Sequence, residues 1–345
     1  MRRSPSDGLT ERWTDGTWFR ATVLAAACLS NLPAIHLSAQ GLPLNTGALF
    51  LVFPVGARAV GMGQTAMGSE GHGESAFWNP AALATLETNE FALHSATLVA
   101  GRSNVLGVYF PSRGIGVLGG AVYLVDYGDL ERTDENGNTI ARIAPRNFEF
   151  LASYATALAG SFVFGLNYKL VQFRVDCSGD CTNFPTGQGT THAIDLGGQF
   201  RVGAGGPLRV GVAVRNIGFK LQVQNKPQAD ALPTRLAVGA QYHVLLPARD
   251  GASPTERFDL RVAADVDSPW GHQGQSELRF GLDVGYQRLV RVRAGYAFVQ
   301  DGLSGPSVGL GVENGSIGVD LARMFLTGSD LVVENPTFFS FRVTF

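Results

Sequence analysis

The sequence predicts an all-β protein, a transmembrane antiparallel β-barrel of about fourteen strands. Three observations predict it: segments that alternate apolar with polar or small side chains, connections sorted into short and long, and an aromatic alternating segment at the C-terminus. Composition agrees. Of 345 residues only 16% are charged, below the roughly 25% usual in soluble proteins, while 45% are apolar and 44 are glycine. The formal net charge of -2 carries no basic excess that would point to nucleic acid, and no acidic tail.

The alternation is clearest near the C-terminus. In 278–286, Leu278, Phe280, Leu282, Val284 and Tyr286 share one face, with Arg279, Gly281, Asp283 and Gly285 on the other. In 258–266, Phe258, Leu260, Val262, Ala264 and Val266 oppose Asp259, Arg261, Ala263 and Asp265; in 290–298, Val290, Val292, Ala294, Tyr296 and Phe298 oppose Arg291, Arg293, Gly295 and Ala297. A period of two over this length indicates strands with two chemically different faces. Such segments run from 91–100 to 337–345, and no connection is long or periodic enough for a crossover helix, so neighbours pair antiparallel.

From the second strand on, tight connections (112–114, 203–207, 287–288) tend to alternate with long ones (127–146, 177–190, 223–233, 267–275, 326–336); 247–256 breaks the rule. Sorting of this kind describes an outer-membrane barrel with an even strand number. A barrel of about fourteen strands is too wide for its own side chains to fill. The charged face (Asp259, Arg261, Asp265, Glu277, Arg279, Asp283, Arg291, Arg293) then lines a wet interior, and the apolar face meets outer-membrane lipid. The chain ends FFSFRVTF, where Phe339, Phe341, Val343 and Phe345 alternate with Ser340, Arg342 and Thr344. This resembles the terminal strand that such barrels present to their assembly machinery, with Phe341, Val343 and Phe345 as the signal.

At the other end, Arg2, Arg3, Arg12 and Arg20 precede the apolar stretch 21–37, and Leu37-Ser38-Ala39 offers a small-residue cleavage site. Residues 1–39 read as a secretory signal peptide. The stretch is short and broken by Asn31 and Pro33, which argues against an anchor, and Ala25 is a poor match for lipidation of Cys28. Export exposes the remaining pair, Cys177 and Cys181, to oxidising conditions, where a short disulfide loop is the first reading. A metal site is not expected, because only Asp176 and Asp180 flank the pair.

Two local patterns invite chemistry. Residues 61–66 match a GxGxxA dinucleotide fingerprint, yet Pro54 lies upstream and no βαβ unit surrounds them. Residues 305–309 match GxSxG around Ser307, but a strand follows instead of a helix and none of the histidines stands beside a serine in an obvious motif. No enzymatic activity and no cofactor are expected. Trp78 is expected to pack structure, and Trp270 to sit in an outer loop or at the membrane interface.

Three stretches together resemble the PorV/PorQ family, within the FadL-type (long-chain fatty acid transporter) outer-membrane proteins. They are residues 56–83, GARAVGMGQTAMG…ESAFWNPAAL, where Asn79-Pro80-Ala81 falls on the family's NPA motif; residues 125–141, VDYGDLERTDENGNTIA; and the aromatic terminal strand. The sequence ARIAPRN after the polar turn and the Cys177/Cys181 loop depart from the family pattern. The resemblance implies a 14-stranded barrel, residues 91–345, whose N-terminal segment 40–90 forms a hatch in the lumen, with Gly61, Gly63, Trp78, Asn79, Pro80 and Ala81 in its motif. It implies transport of hydrophobic small molecules across the outer membrane or, alternatively, a component of a type IX-like secretion pathway that binds secreted proteins.

Overall fold

The computed structural model describes residues 46–99, 101–182, 187–203, 205–223, 229–247, 257–270, 275–287, 289–300, 302–327 and 334–345. The predicted signal peptide, with Cys28, and His272 lie outside these residues. The strands are β1 (Glu90–Leu98), β2 (Gly101–Ser112), β3 (Gly116–Asp126), β4 (Leu130–Thr133), β5 (Thr139–Ala159), β6 (Phe162–Gly179), β7 (Gly187–Val202) and β8 (Leu208–Gly218). They continue as β9 (Arg235–Pro247), β10 (Arg257–Pro269), β11 (Glu277–Tyr286), β12 (Val290–Val299), β13 (Gly305–Asn314), β14 (Ile317–Met324) and β15 (Thr337–Thr344).

All pairings between these strands are antiparallel. Sequential neighbours pair throughout, except that β3 pairs directly with β5, and β15 pairs with β1 through Phe91↔Val343 and Leu93↔Phe341. Fourteen strands therefore close the barrel, and no membrane-facing edge is left open. The short β4 is extra. It continues the line of β3 along the N-terminal part of β5, pairing Leu130↔Ile143 and Arg132↔Ala141.

This corrects the reading of 127–146 as a loop. The β5 and β6 strands run on past the end of β3, from Asp126↔Arg146 to Ala141↔Gly179. Seven residues of β5 beyond Arg146 make an arm of about 23 Å at 3.3 Å per residue. Its tip is fastened. Cys177 and Cys181 form a disulfide, and Arg132 Nη1 donates to the carbonyls of Asp180 (3.1 Å) and Thr182 (3.2 Å). The turn folds on Asp134, whose Oδ1 accepts from the amides of Asn136 (2.9 Å) and Asn138 (2.8 Å).

The two faces follow the alternation. Leu278, Phe280, Leu282, Val292, Val308 and Leu310 are each 41% to 57% exposed on the outer face, while Asp259, Arg261, Asp265, Arg279, Asp283, Arg291 and Arg293 are buried inside. Apolar side chains outside and charged ones inside is the inversion that lipid imposes. On β15, Phe341 and Val343 are half-buried, and Phe345 is exposed with its amide donating to Asn89 O at 3.0 Å. Trp270 is exposed just past β10.

The interior differs from the wet lumen expected of a wide barrel. Residues 46–89 fold inside it as one short helix, α1 (Ala57–Gly61), and three 3₁₀ turns, Leu49–Val52, Gly73–Phe77 and Pro80–Thr85. Phe50, Val60, Met67 and Leu83 are fully buried there. The hatch supplies the volume that a fourteen-strand wall cannot fill with its own side chains.

Candidate functional site

The hatch holds its irregular shape by local chemistry first. Asn79 caps the turn that starts at Pro80: its Oδ1 accepts from Ala81 N at 3.1 Å, and proline at the first position has no amide to leave unpaired. The same side chain faces both ways, because its Nδ2 donates to Met67 O at 3.0 Å, drawing the two halves of the hatch together. Trp78 Nε1 donates to Val55 O at 2.8 Å, and the Arg215 and Arg279 guanidiniums lie 5.5 Å from the Trp78 ring centroid.

The wall then binds the hatch backbone. Asp265 Oδ2 accepts from the amides of Ala66 (2.6 Å) and Met67 (3.0 Å). Ser340 Oγ accepts from Ala57 N at 2.8 Å, and Ser307 Oγ from Gly63 N at 3.1 Å. Asn167 Nδ2 donates to Ala76 O (2.7 Å), Gln199 Nε2 to Met67 O (2.7 Å), and Arg215 Nη1 to Phe77 O (3.0 Å). A segment with little regular structure carries many unpaired amides and carbonyls, and buried ones need partners. Side chains of the wall provide them.

The glycine motif is a contact surface. Gly61 packs on Gly309, where an added Cβ would lie 3.0 Å from the glycine Cα, and Gly63, in the left-handed region at φ 65°, meets the backbone of Gly295. A Cβ on Gly165 or Gly197 would overlap Pro80 and Asn79, and one on Gly211 would overlap Met67 O. Wall glycines are thus sockets into which the hatch backbone settles.

Three of the charge networks among the described residues knit the hatch and the inner wall. Toward the short-turn end, Arg261 joins Asp259 (3.1 Å) and Glu70 of the hatch (3.1 Å), Arg291 joins Asp259 (3.0 Å) and Asp283 (2.9 Å), and Arg293 joins Asp320 (2.5 Å). Nearer the long loops, Asp267 takes Arg215 (2.6 Å), Arg235 (2.5 Å) and Arg279 (3.3 Å), and Arg279 also reaches the half-buried Glu277 (2.5 Å). A third set joins Lys169 to Asp195 (2.9 Å) and Glu149 (3.4 Å). Removing one partner from such a set leaves a buried charge uncompensated, which costs more than the pair contributes. In the hatch itself, burial pushes the Glu74 carboxyl up to about 7, and burial beside Arg261 and Arg293 brings Arg58 down to about 10, still charged at neutral pH.

Sequence reasoning named the charges of β10, β11 and β12 but not Glu149, Lys169, Asp195, Arg215, Arg235 or Asp267. Arg215 follows from a device invisible to a period-two count. A bulge in β8, where the register shifts opposite Asp195, turns both Arg215 and Asn216 inward, with Asn216 at φ 61°. Lys169 and Glu149 do sit in alternating frames, and the alternation around them was the available signal.

No curated protein matches the chain in sequence. Among solved structures, the chain is similar to the Ralstonia pickettii toluene transporter TbuX (12% identity, 84% of this chain and 98% of that chain, TM-score 0.57). It is also similar to the Pseudomonas putida toluene transporter TodX (13%, 84% and 98%, TM-score 0.56) and to a Pseudomonas aeruginosa FadL homologue (12%, 85% and 98%, TM-score 0.51). At these identities the likeness is one of fold, an outer-membrane β-barrel of the FadL type. A family model described as type IX secretion system protein PorV matches residues 38–259, and the chain belongs to that family.

Proposed function

We propose that this protein is an outer-membrane component of a type IX-like secretion pathway that holds exported proteins at its extracellular arm. The arm carries the reading. It stands about 23 Å past the end of β3 (3.3 Å per residue), is fastened by Cys177–Cys181 and Arg132, and leaves one side of β4 unpaired among the described residues. An open sheet edge is a template for an added strand. The family match supports the same reading.

Transport of hydrophobic small molecules, the first reading of the sequence, becomes the second. In its favour, an apolar cluster lies inside the barrel, with Phe50 and Phe77 each packed on Tyr123 (ring centroids 5.8 and 5.9 Å apart) and with Val171 and Leu232 in the same core. Against it, the cavities beside the hatch among the described residues measure about 10 Å³, whereas a cavity known to take up benzene measures roughly 150 Å³.

In-cell photo-crosslinking separates the two. A crosslinking residue at Leu130 is expected to trap exported proteins or secretion subunits, and one at the lipid-facing Leu282 is not. Absence of adducts at Leu130, together with toluene uptake by liposomes above that of empty ones, overturns the reading.

A further inference from the structure

The hatch does not meet the wall equally all round. Against β11, β12 and β13, and against β6, β7 and β8, backbone rests on glycine sockets with no room between. Along β15, β1 and β2 the fit is different. There a cavity of about 10 Å³ is bounded by His72, Glu74, Glu90, His94 and Arg342, and a second of the same size by Val55, His94, Ser103 and Phe338. Each has room for about one water. His94 belongs to both walls, so the two cavities are neighbours at this residue.

The first cavity is lined by titratable side chains, not all of them satisfied. Glu90 is 1% exposed and His94 7%, yet Glu90 Oε2 and His94 Nε2 have no hydrogen-bond partner among the described residues. Glu90 Oε2 lies 3.5 Å from His72 Nδ1, outside bonding distance. Buried polar atoms of this kind are met by water. The imidazole itself is held: Nδ1 bonds to Ser340 Oγ at 2.8 Å, and the same hydroxyl accepts from Ala57 N at 2.8 Å. One bridge, His94–Ser340–Ala57, therefore ties hatch to wall beside both cavities.

We propose that this strip of wall carries a narrow aqueous seam for water and small inorganic ions, with His94 as its constriction. From Glu90 to Ala96, which pairs with Ser103, the strip runs about 20 Å along the strand at 3.3 Å per residue, which at a tilt of about 40° is roughly 15 Å of an apolar band about 25 Å tall. It is also the side on which the hatch separates first, because hydrogen bonds to water replace those to the wall there at little cost.

The test uses the full chain in liposomes, in a Cys28→Ser background so that the remaining native cysteines are the disulfide-bonded pair. His94→Cys is expected to react with a small charged methanethiosulfonate at least about tenfold faster than Ala213→Cys, a buried lumen position on the tightly docked side reached only by larger opening. In planar bilayers His94→Gly is expected to raise ion conductance severalfold, and Ala213→Gly to leave it unchanged. Heat-modifiable gel mobility confirms a folded barrel in each variant. Equal labelling rates at the two positions overturn the proposal, and so does a His94→Gly conductance equal to that of the wild type.

Discussion

Asp265 is a wall residue that grips the hatch backbone at two points. It is 2% exposed, and one of its oxygens accepts from two consecutive hatch amides, Ala66 N at 2.6 Å and Met67 N at 3.0 Å. In Asp265→Ala both amides stay buried in the docked state with no acceptor. Each unsatisfied group costs about 1–3 kcal/mol, so docking weakens by about 2–6 kcal/mol. A loss of 2 kcal/mol is roughly a 30-fold change in the docking equilibrium. The barrel's own ladder does not pass through this carboxylate, so its closure is unaffected. Hydrogen exchange resolved by segment measures the effect: residues 57–69 exchange at least about 30-fold faster, while β11 and β12 exchange at wild-type rates. Asp265→Asn keeps a carbonyl acceptor and gives a smaller effect. Unchanged exchange in 57–69, or equal acceleration in the hatch and the strands, refutes the assignment of Asp265 as a hatch anchor.

Gly295→Ala places a methyl group where the Gly63 backbone sits, so the hatch is displaced and trypsin gains access at Arg58 in a barrel with normal heat-modifiable mobility. Phe280→Arg puts a charge on the lipid face and destabilises the folded barrel by about 2–4 kcal/mol, read by urea unfolding in lipid vesicles. For Glu74, the pKa is raised in the docked hatch from 4.5 to about 7. The docked state thus binds the proton more tightly, and docking weakens as pH rises from about 4.5 to 7, by up to about 3 kcal/mol, then levels off. Glu74→Gln removes that slope, visible as amide protection in 57–78 that stays constant between pH 5 and pH 8, where that of the wild type falls as pH rises.

Much of the barrel was legible because lipid and lumen impose opposite demands on alternate residues. Leu278 to Tyr286 shows this without any neighbour's help. The arm was not legible. Pro145 and the half-buried run Ala144 to Arg146 interrupt the alternation, because above the bilayer the outer face is under no pressure to be apolar. Within the site, the charges of β10, β11 and β12 could be placed on the inner face, but their partners could not. That Asp265 holds Ala66 and Met67 depends on residues 199 and 198 positions apart. Nor does sequence distinguish a glycine that turns a loop from one, such as Gly309, that leaves space for another glycine.

The hatch's anchors have a consequence for biogenesis. Ala76 is held by β6, Ala66 by β10, Gly63 by β13 and Ala57 by β15, so a segment made before every strand finds its partners only as successive hairpins arrive. The last of them, Ser340, is 283 positions from Ala57. A barrel closed with a hairpin missing or out of register leaves some of those amides unmatched and the plug unseated. The segment that fills the lumen therefore also audits the wall, and a seated hatch reports that every strand from first to last has been counted into place.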